Sequence, residues 1–102
     1  MKVVAYVPDL MDRSKVAAAP ADVTFVRQPA ELAEAAADAD LVVVDVTRPG
    51  TIEALAALDG TRVIAFSKHT NREAMDAATA AGAHQVLARS AFFARLNDLL
   101  SE

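Results

Sequence analysis

The sequence predicts an α/β fold: a parallel sheet of five strands with helices on both faces. Three observations lead there. Short runs rich in β-branched residues recur at 3–7, 23–26, 41–46, 62–66 and 85–88. Alanine-rich stretches with helical start and stop signals separate them. The middle runs, "LVVVDV" and "RVIAF", are continuously apolar rather than alternating, as befits strands covered on both faces. Strand and helix alternating in this way imply parallel strands joined by crossover helices.

Taken in order, the first strand is followed by a helix over roughly 10–18, bracketed by Pro8 and Pro20. After the second strand, "QPAELAEAAADA" puts Pro29 at a first helical position, with Glu31 and Glu34 near the positive end of the helix. "TIEALAALDG" follows the third strand, with Ile52, Leu55 and Leu58 on one stripe and Gly60 as the stop. In "KHTNREAMDAATAAG", Thr70 and Glu73 form a capping box, and Met75, Ala78 and Gly82 follow at helical spacing. "RSAFFARLNDLL" closes the chain, with Ser90 as cap and Phe92, Leu96 and Leu99 on one face. Nothing marks a linker or a repeat, so residues 1–102 are expected to form one domain.

Composition narrows the function. The net charge of −4 and the scattered cations argue against a nucleic-acid partner, which needs a basic face. Cysteine is absent, so disulfides, thiol nucleophiles and thiolate metal sites are excluded. The first strand begins with no charged leader, and no apolar run is long enough to span a bilayer. A soluble cytoplasmic protein without a membrane partner is expected. No glycine-rich loop follows the first strand, and no Ser–His–Asp order suggests a hydrolase.

Ligands of open parallel sheets sit outside the carboxyl ends of the strands. Pro8 and Asp9 follow the first strand, Asp45, Thr47 and Arg48 the third, Ser67, Lys68 and His69 the fourth, and Arg89 and Ser90 the fifth. Here the chain resembles the receiver domains of response regulators, the phosphoacceptor modules of two-component signalling. "DLVVVDVTRPG" is similar to the family's stretch around the phosphorylated aspartate, with Asp45 in that place and Pro49 and Gly50 on its loop. Ser67, ending "VIAFS", matches the hydroxyl that bonds the phosphoryl group. "AGAHQVLARS" resembles the fifth-strand signature, with Arg89 where the family has lysine. The resemblance covers nearly the whole chain. It implies a flavodoxin-like sheet of order 2-1-3-4-5, a Mg²⁺ site at Asp9, Asp45 and the Thr47 carbonyl, and a phosphoryl-transfer trio of Asp45, Ser67 and Arg89. It also implies a signalling partner, either a histidine kinase or a downstream protein.

The departures are equally specific. The family's acidic pair after the first strand is reduced to "YVPD", in which Asp9 is the one acid left. Mg²⁺ prefers several oxygens in octahedral order, so weak or vestigial metal binding is expected. Arginine for lysine brings a fork that grips carboxylates, and Arg89 is expected to pair with Asp45. The aromatic switch position holds Val86, Ser90 stands where the family usually has proline, and the segment between Asp45 and Ser67 is short, implying a trimmed third helix.

Plainer roles stand beside these. Asp45 fits a cap or a partner for Arg48 or Arg89, Asp9 an N-cap, and Ser67 a strand-end hydroxyl bonded to backbone. His69 and His84 fall at opposite sheet edges, on the order of 17 Å apart by strand length, and read as surface or capping residues. One of Phe92 and Phe93 must leave the main stripe and is available to a partner. The expected function is a stand-alone receiver-like signalling module, no enzyme, acting through protein contacts with weak or lost phosphoacceptor activity at Asp45. The alternative is a single-domain response regulator phosphorylated there by a histidine kinase. A small-molecule binder at the same edge is the third class.

Overall fold

A computed structural model of the chain describes residues 1–68 and 72–101. Five strands, β1 (Lys2–Tyr6), β2 (Asp22–Phe25), β3 (Leu41–Asp45), β4 (Val63–Ser67) and β5 (Gln85–Ala88), form one sheet in the order β2-β1-β3-β4-β5. Every neighbouring pair is parallel. The expected flavodoxin-like order is therefore the observed one. The strand bounds fall within a residue of those read from the apolar runs.

Helices cover both faces. On one side, α1 (Leu10–Ala17), α5 (Arg89–Ala94) and α6 (Leu96–Leu99) supply Val16, Phe92, Leu96 and Leu99 to a core with Val3, Ala5, Val43, Ile64 and Phe66. On the other, α2 (Leu32–Ala35), α3 (Thr51–Ala56) and α4 (Arg72–Ala80) supply Leu32, Leu55 and Ala78, packed on Val4, Tyr6, Val42, Val44 and Ala65. Alternate residues of each strand thus go to opposite layers, as the period of two requires. Val42, Val43 and Val44 are wholly buried. Each such side chain is worth about 1.5–3 kcal/mol, so β3 is a firm support for whatever follows it.

Local signals explain the helix ends, with corrections. Pro29 is the first helical residue, as expected, opening a 3₁₀ turn that runs straight into α2. The Glu31 carboxylate folds back onto the backbone N–H groups of Arg27 and Gln28 at 2.9 and 2.8 Å. The third helix is trimmed, as expected. It ends at Ala56, and i→i+3 bonds from the Ala57 and Leu58 N–H groups tighten its close before Gly60 is reached. Ser90 is not a cap: α5 begins one residue earlier, with Ala88 as its N-cap and no side-chain cap bond. The closing helix also breaks at Arg95, giving α5 and α6. His84 caps strand ends at the amino edge, its Nδ1 accepting from the Val63 N–H at 3.0 Å. Thr70 and His69 lie outside the described residues.

Candidate functional site

β1, β3 and β4 end side by side, so Asp9, Asp45 and Ser67 are delivered to one edge by strands that neighbour each other. Asp45 is the last residue of β3. Like Val43 it belongs to the layer of α1 and α5, and it is completely buried. Its Oδ1 accepts a bond from the Thr47 N–H at 3.0 Å, which folds the chain into a tight turn. No hydrogen-bond donor among the described residues reaches its Oδ2. The nearest cation is Arg48, whose Nε lies 3.9 Å away on a partly exposed arm. A buried carboxylate oxygen without a partner is costly, and such an atom calls for an explanation, such as a bound water, an ion or a catalytic role.

The loop that carries Asp45 is fixed from both sides. Thr51 is buried, and its hydroxyl donates to the Arg48 carbonyl at 2.8 Å. Gly50 takes φ of 82°, a left-handed conformation open to glycine at little cost. The Thr47 hydroxyl in turn accepts the Lys68 N–H at 2.8 Å, joining the exits of β3 and β4. Ser67 is buried at the end of β4, where it pairs in register with Ala88.

Asp9 is fully engaged. Its Oδ1 accepts from the backbone N–H groups of Met11 and Asp12, both at 3.0 Å, so it is the N-cap of α1. Its Oδ2 meets the Lys68 ammonium at 3.1 Å. The Asp12 N–H chiefly, and then the Lys68 ammonium, hold the Asp9 carboxyl well below the ordinary range, at about 2.

Arg89 does not pair with Asp45. It forks onto Asp12, with Nε 3.0 and 3.1 Å from the two carboxylate oxygens and a further contact from Nη2 to Oδ1. The reason is placement. Arg89 opens α5, which shares a layer with α1, and Asp12 lies in the first turn of α1. That carboxylate is wholly buried, so a charged fork is its natural complement. Asp12 raises the Arg89 pKa further, with smaller contributions from Asp9 and Asp45, which places all three acids within electrostatic reach of one guanidinium. Arg89 and Lys15 each also lie 5.2 Å from the centre of the Phe93 ring. Phe93 is thereby flanked by cations and half-buried rather than left open to a partner.

Sequence reasoning placed Asp9, Asp45, Thr47, Ser67 and Arg89 at the carboxyl edge of the sheet, and the structure has them there. The same reasoning missed Asp12 altogether and gave Lys68 no role. Asp12 had one legible signal: three residues after a possible N-cap, it points from the first helical turn toward whatever neighbours that turn.

No protein-family model matches the chain, and no curated protein matches it in sequence. Solved structures do match. A response regulator from Thermotoga maritima superimposes with a TM-score of 0.76 at 16% identity, covering 99% of this chain and 98% of its own. The Vibrio cholerae chemotaxis protein CheY4 gives 0.76 at 20% identity, with 97% and 94% covered. A Burkholderia pseudomallei response regulator with a phosphorylated aspartic acid and a calcium ion gives 0.78 at 13% identity, covering 98% of this chain and 66% of that one. This is the receiver fold.

One of the matched response regulators holds a calcium ion and another, Rcp1, is a Mn²⁺-bound form; a divalent cation at this edge would need carboxylate oxygens. As arranged, few of the Asp9 and Asp45 oxygens are free for one. Both Asp9 oxygens and Asp45 Oδ1 are already bonded, which leaves Asp45 Oδ2 as the one carboxylate oxygen of the pair without a partner. Cations rather than further donors stand beside these carboxylates. Among the described residues no three acidic or histidine side chains gather as metal ligands. Mg²⁺ is normally held by one or two carboxylates with near-ideal octahedral geometry.

Proposed function

We propose that the chain is a receiver-like signalling module, one unit over residues 1–102, that acts in the cytoplasm through protein contacts. Its phosphoacceptor activity at Asp45 is weak or lost. One observation carries this reading: Asp9, the single acid left after β1, is committed to capping α1 and to Lys68. Phosphoryl transfer depends on positive charge that offsets the negative charge spread over the phosphoryl oxygens. Mg²⁺, the usual source of that charge in receivers, is expected to bind here in the millimolar range or more weakly. The burial of Asp45 further limits a donor's approach. Contact with a partner is supported at the same edge, where Leu10 and Met11 stand exposed directly after Asp9. The partner class is a histidine kinase or a downstream signalling protein. The net charge of −4 disfavours a nucleic acid, and no described helix is long and apolar enough to cross a membrane.

The second reading is an intact acceptor, and Asp45 Oδ2 favours it. That oxygen has no hydrogen bond to break before it attacks phosphorus. Ser67 and Arg89 would then bind the phosphoryl oxygens, Arg89 after leaving Asp12. Incubation with a small phosphodonor and Mg²⁺, followed by intact mass, separates the two. Little or no addition is expected, together with a folded Asp45→Ala variant that loses partner binding. Rapid, near-complete addition of one phosphate, abolished by Asp45→Ala, would establish the second reading instead.

A further inference from the structure

Lys68 holds an unusual position. Its backbone N–H is anchored on the Thr47 hydroxyl at 2.8 Å, and its ammonium lies on Asp9 Oδ2 at 3.1 Å. Lys68 follows β4, Asp9 follows β1, and β3 lies between those two strands. Neighbouring strands are about 4.8 Å apart, so the ion pair spans two strand spacings. The lysine arm therefore crosses the carboxyl end of β3, which is the end that carries Asp45. A free surface lysine has little reason to hold one geometry, because exposed ion pairs are worth about 0–1 kcal/mol. This one starts from a pinned backbone and ends on a carboxylate that α1 itself orients. Its side chain is 29% exposed, although the bond lies at the surface.

We propose that Lys68 is a built-in counter-ion of Asp9 that takes the place of a divalent metal at this edge and keeps metal out. The inference rests on the reading of this edge as the functional one and gives a cause for its weak metal binding. An ammonium supplies one positive charge and three hydrogen-bond donors. It has no coordination positions to exchange, so it neutralises Asp9 without offering a site to phosphoryl oxygens and water together. Arg48 beside Asp45 and Arg89 on Asp12 complete the pattern: each carboxylate of the edge has a cation from the chain itself. Removing the lysine arm is expected to release Asp9 Oδ2 at the edge that also carries the unpaired Asp45 Oδ2, so that two carboxylates can donate to a metal.

Titration with Mn²⁺, read as paramagnetic broadening of backbone amide signals, tests this without any phosphodonor. A parallel calorimetric titration uses Mg²⁺. In the native chain the amides of Met11, Asp45 and Thr47 are expected to persist at millimolar metal. In Lys68→Ala, and in the longer Lys68→Gln, they are expected to broaden selectively, with metal bound roughly tenfold tighter or more. Lys68→Arg is expected to behave like the native chain, and adding Asp9→Asn to Lys68→Ala removes the gain. Equal metal affinity in the native chain and in both neutral variants would overturn the proposal, as would tight binding by the native chain. A native chain that takes phosphate rapidly yet excludes Mn²⁺ overturns the function proposed above and leaves the role of Lys68 standing.

Discussion

Asp12 and Arg89 show how a single pairing redirects a site. Had the guanidinium reached Asp45, the carboxylate would be satisfied and blocked. Held by Asp12, it leaves Asp45 Oδ2 without a bond while its charge stays within reach. The two members are not equivalent. Asp12 is wholly buried, whereas the Arg89 side chain is 36% exposed. Truncating the arginine strands a charge inside the protein, and truncating the aspartate frees a cation that can reach water. Arg89→Met is therefore expected to cost about 2 kcal/mol, and Asp12→Ala less, as measured by urea unfolding. The reverse order would show that the fork contributes little. Strand order alone misdirected the sequence reading, because it set Arg89 and Asp45 at one edge. Which acid a long arm meets is decided by how helices share a layer.

At the scale of elements, α1 depends on its cap. Asp9 bonds two orphan N–H groups and an ammonium, and its pKa falls from the ordinary 3.8 to about 2. A carboxyl whose folded pKa is depressed stabilises the fold fully above its unfolded value, and that contribution is lost as pH falls through the folded value. The native chain is expected to melt at a higher temperature than Asp9→Ala by a constant margin from about pH 5 to 7. The margin shrinks below about pH 4 and vanishes below about pH 2. A margin that persists in strong acid would mean that the carboxylate is not its source. Element identity was easy to read here, because apolar runs and alanine-rich spacers differ in period. Ends were harder. Pro29 does start a helical stretch, though through a 3₁₀ turn, whereas Ser90 looked like a cap and lies inside α5. A cap depends on φ and ψ at the junction, which neighbours impose from outside the local sequence.

For the whole molecule, order 2-1-3-4-5 was expected from the βα alternation, two strongly apolar central strands and the resemblance, and the sheet bears it out. The edge strands differ from the centre as such a fold requires. In β2, Asp22 and Thr24 face solvent, whereas all five residues of β3 and of β4 are buried. The candidate site was legible as a set of residues at one edge and illegible as a set of bonds. Side chains from four strand exits compete there for few partners, and sequence distance says little about who wins.

The Thr47–Lys68 contact has a kinetic side. One residue's amide holds the β3 exit while its ammonium holds the β1 exit, so the three loops are expected to open together. Loops normally exchange their amide hydrogens fast because they open locally at little cost. The Lys68 amide is expected to exchange as slowly as strand amides, despite lying just past the end of β4. Thr47→Val removes its acceptor and is expected to speed that amide, and those of Met11 and Asp12 with it, while leaving β2 unchanged. Acceleration confined to Lys68 would mean that the loops breathe independently. Joint acceleration would make the edge one cooperative unit, in which a partner that grips any loop slows the motion of the others.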